Sequence, residues 1–209
     1  ADANIITGKK TGTSGIVTAT IAEGDLTTLA GLNGTGNAYT VTVTDTSATA
    51  SELTSIDAAT TVAVQAGNVT SLSGTATEVK AAYTADAAGT IVLDGDEAVS
   101  VSGSVSVADA NIIAGKTSGI VTATIAEGDT STLATLNETG NAYTITITDT
   151  SATAANLTTI DSATTVAVAA GNVTSISGTA TEVKAAYTAD ASGTIVLDGD
   201  EAVSVSGSV

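Results

Sequence analysis

A gap-free internal repeat constrains this chain more than any other feature. Ser14–Val105 aligns with Ser118–Val209 at a constant offset of 104, and 13 of the 92 aligned positions differ. The differences are mild: Val41 and Val43 become Ile145 and Ile147, and Leu72 becomes Ile176, so these sites are expected in the interior of both copies. Ahead of this block, ADANII at Ala1 recurs at Ala108 with an offset of 107, so the first copy carries a three-residue insertion near 9–13, around Lys9-Lys10-Thr11-Gly12. The organisation is therefore repeat unit 1 over 1–107 and repeat unit 2 over 108–209. Val209 matches Val105, and only Ser106 and Val107 separate Val105 from the next ADAN. That spacing is expected of a piece of a longer in-phase array, since a true terminal repeat differs in order to cap the stack with polar groups.

Composition narrows the chemistry. The 209 residues contain no His or Cys, which excludes Cys/His zinc sites, thiol or imidazole nucleophiles and disulfides. With 22 acidic residues against five basic ones, a net charge of −17 disfavours nucleic-acid partners. The longest apolar runs, such as Thr90-Ile91-Val92-Leu93, are far too short for membrane insertion, and no signal peptide is read. A hydrophobic content of 43% and a mean hydropathy of +0.35 nonetheless predict a folded chain rather than a disordered one.

Within each unit, Tyr39-Thr-Val-Thr-Val-Thr-Asp45, Thr61-Val-Ala-Val64 and Ala98-Val-Ser-Val-Ser102 alternate with period two, as strands with one buried face do. Glu52-Leu53-Thr-Ser-Ile56-Asp57 is read as a corner that returns the chain to the next strand. Thr75-Ala-Thr-Glu78 is a capping box that opens a helix stopped by Gly89, repeated from Thr179 through Glu182 to Gly193. Candidate coils of mostly 21–23 residues predict an all-β fold: a parallel β-solenoid, or β-helix, with short helical turns, one continuous stack through both repeats. Missing proline and scarce aromatics, 2% of residues, suit narrow coils laddered on both sides.

TVTVTDTSATASELTSIDAATTVAV, NVTSLSGTATEVKAAY and DGDEAVSVSG resemble the Thr/Ala-rich tandem repeats of very large secreted or cell-surface bacterial proteins, cyanobacterial ones in particular. The resemblance covers essentially the whole chain and implies an extracellular structural or adhesive role. The Gly/Asp-rich calcium-binding nonapeptides common in such giants are missing, so calcium binding does not follow from the resemblance.

Asp94, Asp96 and Glu97, with Asp198, Asp200 and Glu201, place three carboxylates around a glycine in each copy and are candidate calcium ligands; no other cofactor is expected. The competing reading is a solvated Asp-Gly turn between strands. Glu23-Gly24-Asp25 and Glu127-Gly128-Asp129 pose the same choice. Thr18, Thr20, Thr40, Thr42 and Thr44, repeated from Thr122 to Thr148, suggest a flat threonine face that would suit ice, against the simpler reading that Thr is a good strand former. Paired carboxylates can run glycoside chemistry, but two near-identical halves argue against an active site, so no enzyme is expected. Lys80 and Lys184 are read as solubilising, and Tyr39, Tyr83, Tyr143 and Tyr187 as packing at coil corners. The expected function is a rigid acidic structural module of an extracellular fibre, sheath or appendage. Its expected partners are copies of itself end to end, or further repeats of the same chain. The alternative is an adhesin or binding module for calcium, carbohydrate or ice.

Overall fold

A computed structural model describes residues 2–9 and 15–207. The chain divides into two compact units, Ala1–Ser102 with Lys116–Gly119, and Gly103–Gly115 with Ile120–Val209. The insertion expected near 9–13 falls largely outside the described residues.

The first unit runs α1 (Asp2–Gly8), β1 (Thr18–Thr20), α2 (Leu26–Leu29), β2 (Ala38–Thr40), β3 (Ser47–Thr49), α3 (Ala50–Ala59), β4 (Val64–Gln65), β5 (Ser71–Thr75), α4 (Ala76–Ala88), β6 (Ile91–Val92) and β7 (Ala98–Val105), whose last three residues belong to the second unit. Its strands pair in parallel, β1 with β2, β3 with β5, β5 with β7, and β4 with β6. Registers such as Leu72↔Val99 and Val64↔Ile91 align the inward side chains of successive strands. Leu53, Ile56, Val64, Leu72, Val79 and Ile91 are buried together with Tyr39, Val41 and Val43. Alternation along Tyr39–Thr44 thus predicts the inward face correctly, although the regular strand there is short.

The second unit repeats the order with α5 (Val107–Ala114), β8 (Val121–Ile125), α6 (Thr130–Leu133), β9 (Ala142–Thr144), β10 (Ser151–Thr153), α7 (Ala154–Ala163), β11 (Val168–Ala169), β12 (Ser175–Thr179), α8 (Ala180–Ser192), β13 (Ile195–Val196) and β14 (Ala202–Ser206). Here β8 pairs with β9, β10 with β12, β12 with β14, and β11 with β13, again in parallel. Helix packs on helix in both units, α3 against α4 and α7 against α8.

The all-β solenoid expectation is overturned. Among the described residues helix, at 34%, exceeds strand, at 28%, and the fold is mixed α/β with several separate parallel sheets, none closed or solenoid-like. The reason is local: segments read as corners hold full helices. Thr49 accepts from the Glu52 amide, and the Glu52 carboxylate accepts from the Thr49 amide, so α3 begins with a complete capping box. Ala-rich stretches then propagate at little entropic cost, and burial of Ala50, Leu53, Ile56 and Ala59 keeps the helix on the core. Ser106 caps α5 over the Asp109 amide in the same way. The helix expected after Thr75 forms as α4, with Gly89 ending it at φ 74°.

Candidate functional site

The Leu93–Glu97 turn is built by its own carboxylate. Gly95 takes a left-handed φ of 75°, which bends the chain so that the Glu97 side chain folds back beneath it. Glu97 Oε1 accepts from the Asp94 and Gly95 amides at 3.1 and 3.0 Å, and Oε2 accepts from the Tyr83 hydroxyl at 3.2 Å. The side chain is wholly buried. Burial, and next the neighbouring Glu97 charge, push the Tyr83 hydroxyl well above its ordinary pKa.

From the far side, Lys116–Gly119 lies over the turn. Thr117 Oγ1 donates to the Glu97 carbonyl at 2.7 Å, and Ser118 donates to the Gly95 carbonyl through both its amide, at 2.8 Å, and its hydroxyl, at 3.2 Å. Asp94 sits on Gly67, where an added Cβ would lie 2.8 Å from its Oδ1, and Asp96 is exposed. The three candidate calcium ligands are therefore adjacent in sequence yet directed apart. Among the described residues no group of three or more acidic side chains is placed to hold a metal ion.

The second copy is laid out alike. Glu201 accepts from the Gly199 amide at 3.0 Å and from the Tyr187 hydroxyl at 3.2 Å, Asp198 sits on Gly171, and Asp200 is exposed. Glu97 shares its parity with inward Val99 and Val101, and that alternation is the signal in the sequence that foretells its burial.

Several other acidic residues also serve backbone amides. Asp25 and Asp129 cap α2 and α6, and hydrogen bonds from the Thr28 and Thr132 side chains, then from their amides, hold both carboxyls below the usual range. Asp45 accepts from the Leu26 amide and Asp149 from Thr130, both at 2.7 Å, while Glu127 accepts from the Val107 amide at 3.0 Å. Asp86 and Asp190 accept from the Leu93 and Leu197 amides at 2.9 Å.

The threonine faces are exposed as expected, and Thr20 aligns with Thr40 and Thr124 with Thr144. The next row breaks: Thr42 bridges to Gln65, and Thr146 to Ala169, so the hydroxyls do not continue as a regular array.

Sequence reasoning overlooks the buried polar clips. Thr60 Oγ1 accepts from the Tyr39 and Val62 amides at 2.9 and 3.1 Å and donates to the Tyr39 carbonyl at 2.8 Å. Thr164 repeats this at Tyr143 and Val166. Asn37 and Asn141 accept from the Val17 and Val121 amides. No local pattern separates Thr60 from the many exposed threonines; its role depends on a strand 21 residues away.

Tyr39, Tyr83 and Tyr143 are fully buried and Tyr187 half-buried. No helix among the described residues is long and apolar enough to cross a membrane. The chain matches no family model, and no curated protein or solved structure shows significant similarity to it.

Proposed function

We propose that this chain is a non-enzymatic structural repeat module of an extracellular or cell-surface fibre, sheath or appendage, joined to further copies of itself. One observation carries the reading. In both copies Glu97 and Glu201, Asp86 and Asp190, and the Thr60 and Thr164 hydroxyls bond the chain's own backbone or tyrosine hydroxyls at matching positions, and none of the 13 differences between copies falls on these residues. These groups are spent on holding turns and neighbouring strands rather than left open to a ligand. The resemblance to Thr/Ala-rich repeats of large surface proteins, and a charge of −17 that limits lateral clumping, support the same reading.

Force spectroscopy on tandem arrays of the 104-residue unit tests it. Each unfolding event should release roughly 340–370 Å of contour length, from about 3.3–3.6 Å per residue over 104 residues. Extension without discrete unfolding peaks, or a saturable response to calcium or a glycan, would refute a purely mechanical role.

A further inference from the structure

Asn33-Gly34 is the one Asn-Gly pair in the sequence, and it stands where the two copies diverge, the matching pair being Asn137-Glu138. Ring closure at an asparagine requires the next residue's amide nitrogen to reach the side-chain Cγ, and a glycine there puts no Cβ in the way. Asn33 and Gly34 are both exposed, between α2 and β2 of the first unit. Among the described residues neither the Asn33 side chain nor the Gly34 amide has a hydrogen-bond partner. The chain is held only on the near side of the pair: the Asn33 amide donates to Asn4 Oδ1 at 2.7 Å, and Asn4 Nδ2 donates to the Gly31 carbonyl at 2.6 Å.

The same chemistry is blocked at the comparable places. Asp94-Gly95 and Asp198-Gly199 are the two Asp-Gly pairs, and an aspartate can close the same ring. There the glycine amides donate to Glu97 and Glu201 at 3.0 Å. A carboxylate acceptor fixes the N–H and disfavours loss of its proton. Asn137 is exposed and held as Asn33 is, its amide donating to Asn111 Oδ1 at 3.1 Å and Asn111 Nδ2 to the Thr135 carbonyl at 2.9 Å. What differs is the Glu138 side chain on the attacking residue.

We propose that Asn33 is a site of spontaneous covalent modification by water, confined to the first unit. The Gly34 nitrogen bonds to the Asn33 Cγ and gives up its proton, and the side-chain nitrogen leaves with that proton as ammonia. Water then opens the succinimide. Cleavage of the Cγ–N bond gives aspartate, and cleavage of the backbone C–N bond gives isoaspartate, whose chain runs through Cβ and Cγ. Either product adds one negative charge to the −17, and isoaspartate also inserts a backbone carbon. That carbon displaces Gly34, which stands so close to α1 that a Cβ on it would lie 2.7 Å from Thr7 Cγ2. Thr7 holds the Tyr39 hydroxyl at 2.7 Å, so the change reaches the buried core of this unit.

Peptide mapping by mass spectrometry of the 209-residue chain stored at mildly alkaline pH tests the proposal, with isoaspartyl methyltransferase labelling to mark the rearranged backbone. Asn33 should convert at least about tenfold faster than Asn137, Asp94 or Asp198. Glu138→Gly should make Asn137 convert at a rate comparable to Asn33, and Asn33→Gln should abolish labelling of the folded chain. In urea, where the Glu97 and Glu201 bonds are lost, Asp94 and Asp198 should become labelled as well. The isoaspartyl fraction of the stored chain should melt below the Asn33→Asp variant, which carries the charge without the inserted carbon. Asn33 intact in the folded chain while it converts in urea, Asn137 converting as fast as Asn33, or an isoaspartyl fraction that melts with Asn33→Asp would overturn it. None of these readouts depends on assembly or force, so the outcome is independent of the structural-module reading.

Discussion

Exchanging one residue between the two copies should repair a buried defect. In the first unit Thr7 Oγ1 donates to the Ala3 carbonyl at 2.8 Å and so accepts from the Tyr39 hydroxyl at 2.7 Å. Its counterpart in the second unit is Ala114, and there the buried Tyr143 hydroxyl has no hydrogen-bond partner among the described residues. Leaving a buried hydroxyl unpaired costs about 1–3 kcal/mol. Threonine in place of alanine within a helix costs up to about 0.7 kcal/mol. Ala114→Thr should therefore stabilise the chain by roughly 0.5–2 kcal/mol, read as a rise of about 2–4 °C in melting temperature per kcal/mol for a protein of this length. The hydroxyl of the new side chain would bond the Ala110 carbonyl as Thr7 bonds Ala3, leaving its lone pair for Tyr143. The tyrosines should then respond with opposite sign to loss of their hydroxyls. Tyr39→Phe should destabilise by about 1 kcal/mol, whereas Tyr143→Phe should be neutral or stabilising. Thermal unfolding of the double variant Ala114→Thr/Tyr143→Phe completes the cycle. If the gain from Ala114→Thr persists without the Tyr143 hydroxyl, or if Tyr143→Phe costs as much as Tyr39→Phe, the reasoning is wrong.

The capping box at Thr49 and Glu52 becomes Thr153 and Asn156 in the second copy, where only the Asn156 amide bond remains. Asn156→Glu should gain, and Glu52→Asn lose, about 0.5–1 kcal/mol in urea unfolding. Gly128→Ala should destabilise by about 1–3 kcal/mol, because the new Cβ would sit 2.5 Å from Thr148 Oγ1 and 3.0 Å from its Cβ; an unchanged denaturation midpoint would contradict that packing. Burial, and next Glu138, push Tyr143 up to about 12, so its neutral form is favoured by folding. That stabilisation is complete below the ordinary tyrosine value near 10 and is lost as pH rises through about 12; tyrosinate absorbance should show a late step that Tyr143→Phe removes. Calcium should raise the melting temperature no more than matched ionic strength does, since Glu97 and Glu201 are committed to backbone amides.

Short-range signals were legible in the sequence. The Thr75/Glu78 capping box with Gly89 foretells α4, and alternation along Tyr39–Thr44 foretells which side chains face inward, because both depend on neighbours within four residues. The Thr49/Glu52 box was equally visible, and reading its segment as a corner led to the wrong fold class. Other choices lie beyond local pattern. Thr60 and Thr61 are adjacent and chemically identical, yet only Thr60 is buried, because Tyr39 offers it both an amide and a carbonyl across the fold. Asp96 and Glu97 are adjacent carboxylates, and only the longer one, on the inward parity, reaches the two amides and Tyr83. By itself the sequence determined the repeat, the charge, the excluded chemistries and the places where α4 and α8 start. Tertiary structure alone decided which hydroxyls and carboxylates are consumed internally. A polar group is buried only where distant backbone meets its lone pairs, and that is a property of contacts rather than of composition.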